Sequence, residues 1–162
     1  VGWIIRALVV RPADDYKHAM QSDKPNIVLI SFDQMGANIL HAAMRTGTPA
    51  TPWLDRLAQR GLSFSQCISP SPVCGPARAS IMTGLFPSKH EVWTNDAPPN
   101  PRVPTFVERL TDAGYVTGSI GKMHFTPTLD PWGFTFQQRT EDIHRMKGRE
   151  HQDAYLRWLQ AQ

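Results

Sequence analysis

Apolar and polar positions divide the chain into a few short elements separated by turn-rich connections. Pro25–Asp33, PNIVLISFD, holds the continuous apolar run Ile27-Val28-Leu29-Ile30. A β-branched run of this length, without alternation, predicts a strand buried on both faces. It ends in Asp33-Gln34 ahead of Gly36. In Thr51–Gly61, Trp53, Leu54, Leu57 and Ala58 recur at helical spacing. Thr51 is placed to cap that helix, Pro52 to begin it and Gly61 to end it. Leu62–Ile68 alternates loosely and predicts a further strand. Pro76 and Gly84 bracket a short helix over about 76–83. The Pro-rich stretch Leu85–Val103 predicts a loop. Thr105–Ala113 predicts a helix that turns Phe106, Val107 and Leu110 inward, with Pro104 before it and Gly114 after it. Tyr115–Ile120 predicts a second buried strand, running into Gly121-Lys122-Met123-His124. Thr126–Gln138 predicts a loop, and Asp153–Gln160 a final amphipathic helix. Strand, helix, strand, helix, strand in this order is the pattern of an α/β fold with right-handed crossovers.

The ends of the chain change this picture little. Val1–Val10 is apolar apart from Arg6 and predicts a strand or a docked arm. A signal-peptide remnant there would need a basic leading region and a small-residue cleavage site, and the segment has neither. Arg11–Lys24 is polar and predicts a linker, so residues 1–24 form an arm and residues 25–162 the domain proper. Localisation is left open, with the cytoplasm slightly favoured over the periplasm or secretion.

Composition narrows the function classes. The 162 residues carry 17 Lys+Arg against 14 Asp+Glu, a net charge of +3, and no basic cluster. No nucleic-acid footprint is expected. No apolar run has the length of a bilayer span, so no membrane partner is expected. The two cysteines, Cys67 and Cys74, cannot build the disulfide framework of a small secreted domain. Cys67 is expected in the core. Trp53, Trp132 and Trp158 are expected to pack rather than to form a binding platform. His18, His41, His144 and His151 show no metal spacing.

Three polar sets stand at predicted strand ends or at a helix start: Asp33-Gln34, Cys74 with Arg78, and Lys122 with His124. Ligands in open α/β sheets sit outside the carboxyl ends of strands, so each set is a site candidate. Taken together, PNIVLISFDQ, CGPARASIMTG and GYVTGSIGKMHF resemble the N-terminal part of a sulfatase. The C-x-P-x-R signature continues in register into A-S-x-x-T-G, and GKMH matches the family's G-K-x-H motif. The resemblance runs from about Lys24 to about Gly133. It implies an alkaline-phosphatase-like sandwich with a central, mostly parallel sheet flanked by helices.

The resemblance also implies a chemistry. Cys74 would be oxidised to formylglycine by a maturation enzyme, a partner of this chain. The hydrated aldehyde offers two hydroxyls. One attacks the sulfur of a small-molecule sulfate ester and the alcohol leaves; loss of a proton from the other expels sulfate and restores the aldehyde. This is covalent catalysis with a built-in release step. Pro76 shapes the turn presenting Cys74. Arg78, about one helical turn on, would hold the hydrate. Lys122 would clamp the sulfate oxygens, His124 would hydrogen-bond the hydrate, and Asn95 would line the substrate pocket. If the backbone stays extended, Lys122 and His124 point the same way. Ser80, Thr83 and His90 are expected to be structural. Asp33, Gln34 and the modified Cys74 would hold a divalent metal, calcium first, with magnesium or manganese as alternatives. Many sulfatases have two Asp in succession at this point. Asp33-Gln34 is instead similar to the phosphonate monoester hydrolase and choline-sulfatase branches. Gly133-Phe134 also echoes choline sulfatase.

The family's later motifs, with further metal ligands, a His and a Lys, are not found in this sequence. The chain is expected to be the N-terminal part of a larger catalytic domain, weakly active or inactive without the remainder. Two alternatives to sulfate ester hydrolysis remain: cleavage of phosphonate monoesters or phosphodiesters on the same nucleophile, and an inactive fragment.

Overall fold

The structure is a computed structural model that describes residues 5–8 (backbone only), 24–35, 51–64, 66–141, 147–148 and 152–162. The chain forms two compact units, 1–69 and 70–162. The linker expected before Lys24, and His18, Gly36, His41, His144 and His151, lie outside the described residues.

In the first unit, β1 (Ile5–Leu8) pairs antiparallel with β2 (Val28–Ser31), with Leu8 opposite Val28 and Ile5 opposite Ser31. The strand expected near the start of the chain is therefore present. β2, however, is not buried on both faces: Val28 and Ile30 are exposed. Among the described residues it belongs to a two-stranded ribbon, which has too few strands to cover either face. Helix α1 (Pro52–Gln59) begins at the predicted proline. The Thr51 side chain does not cap it, and Thr51 Oγ1 is buried without a hydrogen-bond partner. Leu54, Leu57 and Ala58 are half-buried, while Trp53 is exposed. The strand expected over Leu62–Ile68 does not form. Leu62, Phe64 and Ile68 are exposed, and among the described residues no strand pairs with this segment. Cys67, expected in the core, is exposed on the same stretch.

The second unit is built around α2 (Cys74–Thr83). Gly75, Pro76, Ala77, Arg78, Ala79, Ser80 and Met82 are all buried, so this helix is enclosed on most of its circumference rather than on one stripe. It ends at Gly84, whose φ of 71° is the left-handed value that favours glycine at this position. The predicted loop that follows holds one short helix, α3 (Pro87–His90). Helix α4 (Phe106–Asp112) opens with a capping box. Thr105 Oγ1 accepts from the Glu108 N–H at 3.1 Å, and the Glu108 carboxylate accepts from the Thr105 N–H at 2.6 Å. Then β3 (Gly118–Gly121) pairs in parallel with β4 (Phe136–Arg139). The crossover Lys122–Thr135 runs without a helix. Helix α5 (Ala154–Gln160) is capped by Asp153, whose Oδ1 accepts from the N–H groups of Tyr155 and Leu156. Trp158 on this helix is exposed, stacked on Tyr155. The α/β class is as expected. Among the described residues the sheet consists of two two-stranded pieces, one antiparallel and one parallel.

The core of this unit joins Ala79 and Met82 of α2, Val92, Val107 of α4, Phe125 and Trp132. Phe125 and Trp132 stack with centroids 4.3 Å apart and planes 8° from parallel. Of the three tryptophans expected to pack, Trp132 does so here. The stack pins both ends of the β3–β4 crossover. A second clamp is polar: buried Arg139 donates to the carbonyls of Thr128 and Asp130. At Gly133 the chain passes so close to α4 that an added Cβ would lie 2.5 Å from Glu108 Cγ, and its φ is 88°. Replacing Gly133 with Ala should lower stability by about 1–3 kcal/mol, read as a drop in the urea midpoint with an unchanged m value.

His90 is fully buried. Its Nδ1 accepts from the Val92 N–H at 3.1 Å, so that nitrogen carries no proton, and Nε2 lies 2.8 Å from Ser80 Oγ. Ser80, Thr83 and His90 are structural, as the sequence suggests; Thr83 Oγ1 donates to the Ala79 carbonyl. Burial pushes the His90 pKa below 6.5, outweighing an opposing interaction with its own backbone. The folded state thus favours the neutral ring. Its contribution is complete above about pH 6.5 and is lost as pH falls through the lowered folded-state value. Stability measured by urea unfolding should decline over that interval. His90→Asn, which keeps an acceptor for Val92, should flatten the slope.

Candidate functional site

Cys74 is the first residue of α2, where the helix leaves its leading N–H groups without intrahelical partners and presents the positive end of its dipole. Pro76 lies in the first turn, where its missing N–H costs nothing. The Asn95 side chain reaches back from the loop after α3. Its Oδ1 accepts from the Gly75 N–H at 2.8 Å and lies 3.5 Å from Cys74 Sγ. One amide oxygen therefore caps the helix and flanks the sulfur. This close approach suits glycine at 75: a Cβ there would stand 3.0 Å from both Asn95 Cα and Asn95 Oδ1. Asn95 is itself anchored, since Thr126 Oγ1 donates to its carbonyl at 3.0 Å.

The opposite flank comes from the residues after β3. His124 Nδ1 lies 3.5 Å from Cys74 Sγ, and the ring is buried. The sequence reading let Lys122 and His124 point the same way on an extended backbone. The backbone does not stay extended: β3 ends at Gly121, with φ 94°, and His124 has φ 57°. Left-handed backbone at Gly121 and His124 takes this segment out of strand alternation. Arg78, buried on α2, donates through Nη1 to the Lys122 carbonyl at 2.6 Å. Its guanidinium thus ties the signature helix to the GKMH segment. The second unit thus brings the side chains of Cys74, Asn95 and His124 together and joins the Arg78 guanidinium to the Lys122 backbone.

Asp33 and Gln34 stand in the first unit, just past β2, both exposed, with Gln34 at φ 58°. A carboxylate and an adjacent amide oxygen are hard donors suited to calcium, magnesium or manganese. Among the described residues no three His, Cys, Asp or Glu side chains group so as to hold a metal. No described helix is long and apolar enough to cross a membrane.

Two residues of the site's support were not legible in the sequence. Glu141 accepts from the N–H groups of Met123 and His124, and Asp153 holds the Glu141 N–H. Neither belongs to a motif, and only the folded chain brings residue 141 under residue 124.

Comparison with known proteins gives the family. The Sulfatase family model matches residues 25–156. The choline-sulfatase of Rhizobium meliloti is 38% identical over 133 residues, 77% of this chain and 24% of its own length. The N-acetylgalactosamine-6-O-sulfatase of Bacteroides thetaiotaomicron is 35% identical over 73% of this chain and 24% of its own. The ulvan-active sulfatase of Formosa agariphila is 32% identical over 89% of this chain and 30% of its own. The chain spans about a quarter of the length of these curated relatives. With the family match covering most of the sequence, and Cys74 set at a helix start between Asn95 and His124, this chain belongs to the sulfatase family.

Proposed function

We propose that the protein containing this chain hydrolyses sulfate esters through Cys74 after its conversion to formylglycine. The observation that carries the proposal is the seating of Cys74 Sγ, 3.5 Å from Asn95 Oδ1 and 3.5 Å from His124 Nδ1, at the first residue of a buried helix. The sulfur marks the position of the oxygens that would replace it. Asn95 Oδ1 is an acceptor and would orient a hydroxyl there. His124 can take a proton from a hydroxyl or return one to it, the work of a general acid–base. The helix start favours the negative charge of a bound sulfate group.

Arg78 and Lys122 would bring positive charge to the same site. Arg78 is held in place by its bond to the Lys122 carbonyl, so it contributes without reorganising. Lys122 would clamp sulfate oxygens. Asp33 and Gln34 carry the metal proposal: a divalent ion held there would acidify the attacking hydroxyl and polarise the sulfate oxygens. The maturation enzyme that oxidises Cys74, and the remainder of the family's catalytic domain, are the partners this reading requires.

Gln34 keeps a second substrate class open. It stands where many sulfatases have a second Asp, and this variant resembles the phosphonate monoester hydrolase branch as well as the choline-sulfatase branch. Phosphonate monoesters and phosphodiesters carry a single negative charge, as sulfate monoesters do.

The complete polypeptide, co-produced with a formylglycine-generating enzyme, should show an aldehyde in place of the Cys74 thiol by peptide mass spectrometry. It should cleave an aryl sulfate faster than a phenyl phosphonate ester; the reverse order would move the assignment to the second class. Cys74→Ala should abolish turnover, and full activity in that variant would sink the mechanism. Removing one flanking group, in Asn95→Ala or His124→Ala, should lower kcat by about 10²–10³-fold while the aldehyde content stays at the level of the unsubstituted protein.

A further inference from the structure

A single carboxylate supports the segment that carries His124. Glu141 Oε1 accepts from the Met123 N–H at 3.0 Å and from the His124 N–H at 2.8 Å, and Glu141 is 9% exposed. His124 has φ 57°, a left-handed conformation that a residue with a Cβ adopts at a cost. Two charge-assisted bonds on consecutive N–H groups are the kind of restraint that can hold such a turn. The other oxygen, Oε2, is buried without a hydrogen-bond partner, so the carboxylate bears a desolvation cost there while Oε1 makes both bonds. Buried Arg139 supplies balancing charge, since Glu141 raises its pKa against a larger lowering by burial.

Glu141 is fixed in turn. Its N–H donates to Asp153 Oδ2 at 3.0 Å, while Asp153 Oδ1 caps α5. Asp153 is 1% exposed. A continuous series of hydrogen bonds thus leads from the start of α5 through Asp153 and Glu141 to the backbone of His124, whose Nδ1 faces Cys74 Sγ.

We propose that Glu141 is a positioning residue for the Cys74 site, acting through His124: its Oε1 sets the left-handed turn that brings the imidazole to the nucleophile. This rests on the proposed role of His124 beside Cys74. It predicts that acceptor placement matters more than charge. Glu141→Gln, which can present an oxygen at the same point, should preserve function; Glu141→Ala should not.

The test has two arms. In the first, the complete polypeptide is made without the maturation enzyme. Alkylation of Cys74 by iodoacetamide is followed against pH, reading the Cys74 peptide by mass spectrometry so that exposed Cys67 does not interfere. Glu141→Ala should displace the rate–pH profile and Glu141→Gln should retain it. In the second arm, the complete matured polypeptide is assayed on an aryl sulfate. Glu141→Ala should lower kcat by about 10–100-fold with KM within about threefold, and Glu141→Gln should stay within about threefold on both. Should the alanine variant fail to fold, Glu141→Asp takes its place with the same expectation, because its carboxylate is one methylene too short to reach both N–H groups. An alkylation profile unchanged in the Ala or Asp variant overturns the proposal, as does a Gln variant that behaves like them. The first arm needs no ester cleavage. Turnover surviving in Cys74→Ala would remove the sulfatase reading while leaving the positioning result standing.

Discussion

Much of the second unit depends on one amide oxygen shared between a helix end and a sulfur. Asn95 Oδ1 satisfies the Gly75 N–H and lies beside Cys74 Sγ. The same contact therefore stabilises the start of α2 and gives Cys74 a polar flank. It demands a residue without a side chain at 75 and a firmly held loop at 95. The Thr126 hydroxyl provides the second, by binding the Asn95 carbonyl. Residue 126 follows the GKMHF segment, so the two flanks of the sulfur are also tied to each other.

This arrangement explains why α2 is buried nearly all round. A helix carrying the proposed nucleophile on its first residue must be fixed in rotation and in translation, because such a site tolerates little displacement. Ala79 and Met82 lock one side into the apolar core, the Ser80–His90 pair locks another, and the Arg78 guanidinium fastens a third to the Lys122 carbonyl. The Phe125–Trp132 stack does the same for the segment just after His124. Packing and polar contacts serve the same end here: holding one atom in place.

Where the structure departs from expectation, the cause is a missing pairing or a change of backbone direction. A continuous apolar run at Ile27–Ile30 reads as a strand with two covered faces, yet in the described residues it has one antiparallel neighbour, and Val28 and Ile30 are exposed. Alternation at Leu62–Ile68 reads as a strand, yet a strand exists only with a partner for its backbone groups. In both segments the side-chain pattern states what the residues prefer. Whether neighbours exist to meet that preference is a property of the assembled fold.

The sequence by itself determined the three longer helices of the second unit and the residue types of the candidate site. Pro76 and Gly84 mark α2, Pro104 and Gly114 bracket α4, and Asp153 begins α5, because caps and breakers act over three or four residues and are legible locally. The signature from Cys74 to Gly84 and the GKMH motif singled out Cys74, Arg78, Lys122 and His124 as candidates. Only the tertiary structure decided how these groups meet. The turn at His124, its carboxylate support from Glu141 and the double use of Asn95 join residues 17 to 50 positions apart. No local pattern encodes contacts at such separations, since they depend on the whole core that closes the loops between them.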